Sequence, residues 1–351
     1  MPDGAPRGVT EDEAALYDRQ IRLWGLEAQN RMRSAHVVVL GLTGVATEII
    51  KNVVLSGVGR LTVVDDADVR TDDLNAGFFF RDSDVGHARV ADAPLQRIQQ
   101  LNPLVDVRGV ATLDLAAGGF DALVACRGTR AELEAYNDAA RRAHALFYAA
   151  AAQGWGGYVF SDLGDDYTYV ATRATPGATE RAAAAYTQTF VPLRDALHTA
   201  WAPSGAARRR PPPARLWATW ALWAWEARGD TAPSPAALAT ALEREAAALL
   251  AARGVDDALV FARQRIDRAA FFAAFAHAVW PHVERQSDAA MPTTSAVLGG
   301  LVAQDLLNAL GRREAPLVNW LLLDTSTGTA PVCAVGTPAP AARALGADGS
   351  L

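Results

Sequence analysis

The chain has 351 residues, of which half are hydrophobic and 21% are charged, so it predicts a globular protein with a sizeable core in one large domain or about two. The formal net charge of −6 argues against a nucleic-acid-binding protein, because such proteins need a basic stripe. No apolar run reaches the roughly 18 residues of a membrane span, and the first residues lack the layout of a secretory signal, so we expect neither membrane insertion nor secretion.

The chain has no pattern that is typical of a metal site. Cys126 and Cys333 are far apart in sequence and form neither a CxxC pair nor a disulfide framework. The two closest histidines, His277 and His282, stand in a segment rich in Ala and Phe without a second pair of ligands nearby. We therefore predict no bound metal, and we interpret both cysteines as packed structural thiols.

Residues 17–25, with the sequence YDRQIRLWG, place two arginines before the first core strand. Thr10 and Glu13 have the spacing of a capping box, which puts this segment on or just after a helix. On a helix, Arg19 and Arg22 share a face and can hold a carboxylate or a phosphate in a fork. The apolar neighbours can anchor the segment against the domain body or another chain: Ile21, Leu23 and Trp24. The alternative interpretation is an ordinary amphipathic helix with solvated arginines.

The segment that follows has the order of a dinucleotide- or nucleotide-binding unit. The apolar run 36–40 predicts a parallel strand covered on both faces, and it leads directly into a glycine turn at Gly41. A helix over about 46–56 and a strand over 61–64 come next, and that strand ends on Asp65. An acidic residue at this place is positioned to bind a ribose hydroxyl.

The glycine turn departs from the GxGxxG pattern. Gly41 and Gly44 are present, but Thr43 occupies the second glycine position in the strict spacing and Ala46 occupies the last one. The second glycine lets the backbone approach a phosphate, and the third permits close packing of helix on strand. We therefore predict a degenerate nucleotide site at Gly41, Gly44 and Asp65 that binds nucleotide weakly or not at all.

The rest of the first half alternates between helix and strand patterns, which predicts a doubly wound α/β sheet. The predicted elements are a helical segment from about 85 to 101 that is kinked or restarted at Pro94, a helix at about 130–144, and strands at 105–110, 121–125, 146–150 and 167–172. Turns rich in glycine near 154–157 and 164 separate short antiparallel strands. The three phenylalanines at 78–80 are predicted to be buried against the sheet.

The composition changes after about residue 175, which predicts a helical subdomain inserted into the sheet domain. We place the first part of the sheet domain at 1–174, the inserted subdomain at 175–290 and the return to the sheet domain at 291–351. A basic and proline-rich run near 204–213 predicts a flexible loop. The helix-like stretches are 181–198, which Pro192 splits, 216–228 and 235–253.

Two further features of the second half bear on packing. The tryptophans between positions 217 and 225 lie at mixed helical spacing and predict the core of the helical subdomain rather than a ligand site. Residues 292–310 predict a helix that packs tightly at Gly299 and Gly300, and residues 320–324 and 331–335 predict two closing strands.

With these motifs the chain resembles the ubiquitin-activating family, whose ThiF/MoeB-type adenylation domains have a Rossmann-like fold. Within that family it looks like the smaller, non-catalytic subunits of the heterodimeric members, those of the SUMO-activating type in particular. The resemblance covers most of the chain, and the helical insertion matches only loosely. The segments that carry it are 17–29, 41–48, 85–86, 101–103 and 298–305.

The resemblance implies two related adenylation domains arranged with pseudo-twofold symmetry, of which only one keeps a working nucleotide site. In this family the larger catalytic subunit binds ATP and Mg²⁺, adenylates the C-terminal glycine of the modifier, here SUMO, and then takes the modifier onto a cysteine. By resemblance this chain is the regulatory subunit, binds no cofactor alone, and is inactive in isolation. Its Arg19 would reach across the interface toward the γ-phosphate of the partner's ATP. The resemblance also implies residence in the nucleus and, in part, the cytoplasm.

Departures from the family pattern support this division of labour. An active family member has Asn-Arg-Gln where this chain has Asn75, Ala76 and Gly77, so the arginine is missing. The family's catalytic lysine falls at about Arg89, and its Mg²⁺-binding aspartate falls within Arg127-Gly128, where no acid exists. Loss of a metal-binding carboxylate removes the ion that would neutralise the triphosphate.

Three alternatives remain open at the level of sequence. The corresponding subunit of the neddylation-activating enzyme shares the opening motif, but its helical insertion is larger and its chain longer. A homodimeric adenylyltransferase of the bacterial sulfur-carrier type needs the arginine, lysine and aspartate that are missing here. A Rossmann-type dehydrogenase is disfavoured by the altered glycine turn.

Overall fold

A computed structural model describes residues 15–174, 181–200, 213–285 and 291–343. The predicted capping box at Thr10 and Glu13, and most of the predicted basic and proline-rich loop, lie outside the described residues. The same is true of the positions at which the predicted insertion begins and ends, so the domain boundaries stay predictions.

Helices and strands alternate through the first half of the chain, and the middle of the chain is mainly helical. The helices are α1 Asp18–Trp24, α2 Leu26–Ser34, α3 Gly44–Leu55, α4 Asp92–Gln99, α5 Arg130–Arg142, α6 Leu193–His198, α7 Ala214–Ala227, α8 Pro235–Ala252, α9 Asp257–Val260, α10 Arg268–Arg285 and α11 Pro292–Gly311. The strands are β1 His36–Leu40, β2 Arg60–Val64, β3 Asp106–Val110, β4 Ala122–Ala125, β5 Leu146–Gln153, β6 Gly156–Asp162, β7 Tyr167–Ala174, β8 Arg181–Gln188, β9 Trp320–Asp324, β10 Val332–Cys333 and β11 Ala341–Arg343.

Eight strands form one sheet in the order β10-β9-β6-β5-β4-β1-β2-β3. Strands β1 to β5 run parallel to their neighbours within that group, whereas β6, β9 and β10 are antiparallel. The chain leaves β1 toward β2 and β3 on one side and later returns to β4 and β5 on the other. This reversal confirms the doubly wound α/β fold, and the crevice at the carboxyl ends of β1 and β4 is where such folds bind ligands.

The sheet is covered on both faces, which explains its continuous apolar strands. In β1, Val37 and Val39 face a core with α3 and α11, whereas Val38 and Leu40 face a core with α5 to α8 and α10. All four side chains are buried. A strand with two buried faces has no polar alternation, as the sequence of β1 predicts.

The tryptophans of α7 are buried, as predicted, and they pack on the sheet itself. The rings of Trp220 and Trp223 lie 5.8 and 5.9 Å from the ring of Trp320 in β9. Trp217 is fully buried in the same cluster. The helices α7, α8 and α10 therefore share one hydrophobic core with a face of the sheet.

One predicted helical segment is partly a strand. Residues 181–188 form β8, which pairs with β7 along its whole length and with β11 on its other side; only α6, after Pro192, is helical. Alanine favours helices, but pairing with a neighbouring strand and burial of Ala185 outweigh this weak preference. The helix prediction for this segment was therefore wrong.

Two smaller expectations were wrong in part. Phe79 and Phe80 are buried, but Phe78 is 51% exposed and lies under the ammonium group of Lys51. Gly299 does pack tightly against α3, whereas Gly300 has no other atom near the position that a Cβ would occupy. Within the described residues, no helix is long and apolar enough to span a bilayer.

The helical region contains a carboxyl group whose ionisation should affect stability. Burial raises the pKa of Glu226 in α7 from 4.5 to about 7, and His282 Nε2 lies 3.7 Å from its carboxylate. Because the folded pKa is above the unfolded one, the stabilisation is complete below pH 4.5 and is lost as the pH rises through about 7.

We expect the Glu226→Gln substitution to remove this pH dependence, since glutamine resembles the protonated acid. The free energy of unfolding of the wild type relative to the variant should fall by about 2–3 kcal/mol between acidic and mildly basic pH. Urea unfolding of both proteins across this pH range measures the difference. Parallel curves would show that Glu226 titrates normally in the folded protein.

Candidate functional site

The glycine turn after β1 is closed by side chains. Gly41 has φ of +84°, and a Cβ at this position would lie 2.6 Å from Cβ of Arg127. The hydroxyl group of Thr43 caps α3 by accepting a hydrogen bond from the Ala46 backbone N–H at 3.3 Å. Thr43 thus stands where a dinucleotide-binding turn has its second glycine, and its side chain uses one of the N–H groups that would otherwise face a phosphate.

Asp65 lies at the carboxyl end of β2, as predicted, but its carboxylate is fully engaged. It is 2% exposed. Its Oδ2 accepts hydrogen bonds from the Leu42 N–H at 2.7 Å and from Arg89 Nη1 at 3.4 Å. Its Oδ1 accepts from the Ala67 N–H at 2.9 Å and from Arg127 Nη1 at 3.0 Å. A ribose hydroxyl would have to displace one of these partners.

The two guanidinium groups around Asp65 come from Arg89 and Arg127, near which the family resemblance predicts a lysine and a Mg²⁺-binding aspartate. Arg89 is 6% exposed and also bonds Asp73 Oδ1 at 2.6 Å. Arg127 also bonds Asp66, and this hydrogen bond lowers the pKa of the Asp66 carboxyl. The site therefore holds two guanidinium groups among three carboxylates, those of Asp65, Asp66 and Asp73, and both guanidinium groups are paired without a ligand.

A small cavity lies beside this ion cluster. This cavity of about 10 Å³ lies next to Asp73, bounded by Leu42, Gly44, Ala76 and Gly77, and it is large enough for roughly one water molecule. Gly77 fits tightly, because a Cβ there would lie 2.6 Å from the Asp73 carbonyl oxygen. Gly77 thus packs within its own segment, in which Asn75 is exposed and Ala76 is half-buried.

The described residues contain no group of three or more His, Cys, Asp or Glu side chains placed to hold a metal ion. Cys126 is buried at the end of β4. Burial raises the pKa of the Cys333 thiol to about 12. Thiols that stay protonated are poor nucleophiles.

The arginine segment forms a separate site on α1. Arg19 is exposed, and its guanidinium group has no hydrogen bond or ion pair among the residues that the structure describes. Arg22, by contrast, bonds the Asp18 carboxylate at 3.1 and 2.9 Å. The pair of arginines is therefore divided, with Arg22 engaged inside α1 and Arg19 available to a ligand.

Contacts made by Tyr17 and Trp24 place α1 at the end of the sheet where its parallel strands begin. Tyr17 packs on Gly57, just after α3, and Trp24 bonds Gln29, which bonds the Ser56 carbonyl oxygen. Helix α3 begins at the glycine turn and has 12 residues, so it spans about 18 Å. Arg19 therefore lies about one helix length from Gly41 and Asp65. Within this chain, Arg19 and the glycine turn do not form one site.

Sequence reasoning missed the residues that hold α1. Tyr17, Gln29 and Asn102 were not among the predicted site residues, although all three lie in segments that carry the family resemblance. Each is 5% exposed or less. Tyr17 lies two residues before Arg19, and this proximity is a signal for such a role. Its partners Gly57 and Asn102 are distant in sequence, so the pattern does not predict them.

Comparisons with known proteins match nearly the whole chain. The model of the ThiF family matches residues 17–343. SUMO-activating enzyme subunit 1 from Rattus norvegicus is 31% identical over 95% of this chain and 97% of its own, and the Homo sapiens protein of that name is 30% identical over 94% and 97%. The DNA damage tolerance protein RHC31 from Saccharomyces cerevisiae is 30% identical over 92% of this chain and 97% of its own.

Solved structures show the same fold at low sequence identity. The crystal structure of PaaA matches with a TM-score of 0.55 at 13% identity, over 95% of this chain and 78% of its own. The structure of E. coli MccB with MccA-N7isoASN matches with a TM-score of 0.52 at 13% identity, over 92% of this chain and 72% of its own.

Proposed function

The chain belongs to the ThiF family, and on that premise we propose that it is the regulatory subunit of a heterodimeric SUMO-activating enzyme. The support is its similarity to SUMO-activating enzyme subunit 1 over nearly the whole length of both chains. In this proposal the larger subunit holds ATP, Mg²⁺ and the acceptor cysteine, and this chain completes the adenylation site. The same similarity leads us to propose that the complex resides in the nucleus and partly in the cytoplasm.

The observation that carries the proposal is the division between the two sites. The carboxylate of Asp65 is bonded to Arg89 and Arg127, and the adjoining cavity admits about one water molecule. Arg19 is exposed, has no partner among the residues that the structure describes, and lies at the other end of the parallel strands. A chain that neutralises its own ribose-binding acid and presents a free arginine elsewhere is suited to act on nucleotide held by a partner.

The chemistry of adenylation suits an arginine supplied in this way. A carboxylate of the modifier attacks the α-phosphorus of ATP, the bond to the β-phosphate oxygen breaks, and negative charge develops on the departing pyrophosphate. A guanidinium group stays charged at every physiological pH and can donate two parallel hydrogen bonds to phosphate oxygens. We propose that Arg19 makes these bonds, so that adenylation requires the assembled complex.

The surroundings of Arg19 support an interface at this place. Leu23 lies one helical turn after Arg19 and is 78% exposed, and Leu16 and Leu26 are 63% and 52% exposed. Three leucines exposed to this degree in one short segment form an apolar surface of the kind that marks contact regions between chains. We propose that this segment contacts the larger subunit.

ATP–pyrophosphate exchange tests the proposal. We expect no exchange above background with the isolated chain, exchange when the larger SUMO-activating subunit and SUMO are added, and none with the larger neddylation subunit and its modifier. Exchange restricted to the neddylation components would favour the alternative within the family. Robust exchange by the isolated chain would falsify the regulatory role.

A further inference from the structure

Helix α1 does not hold itself in place. None of its seven residues is buried, and an isolated helix of this length is not stable in water. The direction in which Arg19 points must therefore be set by contacts at the two ends of the helix. The structure contains such contacts at both ends, and both reach the last turn of α3.

The first contact is made by Tyr17, which directly precedes α1 and is 3% exposed. Its carbonyl oxygen accepts the first helical hydrogen bond, from the Ile21 N–H at 2.8 Å. Its hydroxyl group accepts a hydrogen bond from Asn102 Nδ2 at 2.8 Å, and the same amide donates to the Val54 carbonyl oxygen at 2.9 Å. One side chain thus joins the beginning of α1 to the end of α3.

The ring of Tyr17 is fixed as firmly as its hydroxyl group. It lies against the backbone of Gly57, where any Cβ would collide with the phenol ring and its oxygen. Gly57 has φ of +78°, a conformation that glycine adopts readily and other residues rarely do. Glycine is therefore required at this position for two reasons: the turn after α3 needs its positive φ, and the ring of Tyr17 packs where a Cβ would lie.

The second contact is at the other end of α1. Trp24 Nε1 donates to Gln29 Oε1 at 3.1 Å, and Gln29 Nε2 donates to the Ser56 carbonyl oxygen at 3.1 Å. Gln29 is fully buried. The carbonyl groups of Val54 and Ser56 lie at the end of α3, where helical carbonyls need partners from outside the helix. Both ends of α1 are thus bonded to the same rigid element.

We infer that Tyr17 and Asn102, with Gln29 as a second anchor, are positioning residues that orient Arg19 toward the partner's ATP. The inference rests on the proposed role of Arg19. Its physical reason is preorganisation: a guanidinium group on an unanchored segment must be ordered in every catalytic cycle, whereas one on an anchored helix is already in place. The hydroxyl group of Tyr17 acts through Arg19 and touches no reacting atom.

The test is a double-mutant cycle between Tyr17→Phe and Arg19→Ala in the assembled heterodimer. Tyr17→Phe keeps the ring against Gly57 and removes only the hydroxyl acceptor. We expect kcat of ATP–pyrophosphate exchange to fall about tenfold in the wild-type background, since small misplacements of a catalytic group have effects of this size. In the Arg19→Ala background the same substitution should change kcat by less than about twofold.

Tyr167→Phe is the matched control. In the wild type, the hydroxyl group of Tyr167 also makes a buried hydrogen bond: it donates to the Ala309 carbonyl oxygen at 3.1 Å. Tyr167 has no hydrogen bond to α1. Tyr167→Phe should lower the melting temperature to a similar extent as Tyr17→Phe and leave the exchange rate unchanged. Gln29→Met removes the second anchor and should behave like Tyr17→Phe in the cycle, with an unchanged dissociation constant of the heterodimer.

The outcomes separate the two proposals. One outcome is that Arg19→Ala lowers kcat, whereas Tyr17→Phe has no effect on kcat or lowers it by the same factor in both backgrounds. In that case the positioning role is overturned and the proposed function stands. If Tyr167→Phe slows exchange as much as Tyr17→Phe, the loss is a general effect of destabilisation and the positioning role is again overturned. If Arg19→Ala itself is fully active, the proposed role of Arg19 fails and the positioning role fails with it, whereas the proposed subunit identity is tested separately by exchange with the isolated chain.

Discussion

Arg19→Ala is expected to slow ATP–pyrophosphate exchange by the assembled heterodimer about 10²–10³-fold, while the two chains still associate. An effect of this size is typical when a preorganised donor to a developing negative charge is removed. The substitution should not unfold the chain, since Arg19 is exposed and bonded to no described residue. Exchange at saturating ATP, with the dissociation constant of the heterodimer measured in parallel, distinguishes catalysis from assembly.

Arg22→Ala is the natural control for this experiment. It removes the same charge from the same helix, three residues away, but from a guanidinium group that already bonds Asp18. An exposed pair of this kind contributes little to stability, and we expect exchange to change by less than about threefold. Equal losses from the two substitutions would mean that exchange depends on the net charge of α1 and not on Arg19.

Arg19→Lys refines the result. Lysine keeps the positive charge but cannot form two parallel hydrogen bonds in a fixed plane. If Arg19 binds two phosphate oxygens, lysine should restore only a small part of the lost rate. Full activity of this variant would reduce the role of Arg19 to that of a point charge.

Gly299→Ala should destabilise the chain, whereas Gly300→Ala, one residue further on in α11, should stabilise it. At Gly299 the new methyl group would lie 3.0 Å from the Val45 carbonyl oxygen and closer still to Cβ of Glu48. Neither atom can move without shifting α3, so we expect a net loss of about 1–3 kcal/mol in the free energy of unfolding. At Gly300 nothing lies within 4 Å, and replacing a helical glycine with alanine contributes about 0.5–1 kcal/mol of stability.

Urea unfolding of the isolated chain with either substitution measures both effects. The two variants have the same composition, so a difference of sign can only come from the surroundings of the methyl group. Equal and favourable changes at both positions would show that α11 and α3 are further apart in solution than in the structure.

Much of the fold could be predicted because its signals are local. The apolar run that forms β1, the turn at Gly41, and the strand ending on Asp65 are all contained in short windows of sequence, and each was found at the expected place. The segment that became β8 was interpreted wrongly because its residues favour a helix locally, while the pairing with β7 and β11 that makes it a strand involves partners far along the chain.

The candidate site divides in the same way. Which chemical groups are present could be read from the sequence alone: the arginine pair of α1, the acid after β2, and arginines where the family resemblance predicts a lysine and a metal-binding aspartate. Which partner each charged group has depends on the folded arrangement. It brings Arg89 and Arg127 onto Asp65, pairs Arg22 with Asp18 and leaves Arg19 free at the opposite edge of the sheet. The physical reason is that a charge is neutralised by whatever lies within a few ångströms of it, and those neighbours come from segments that the sequence keeps far apart.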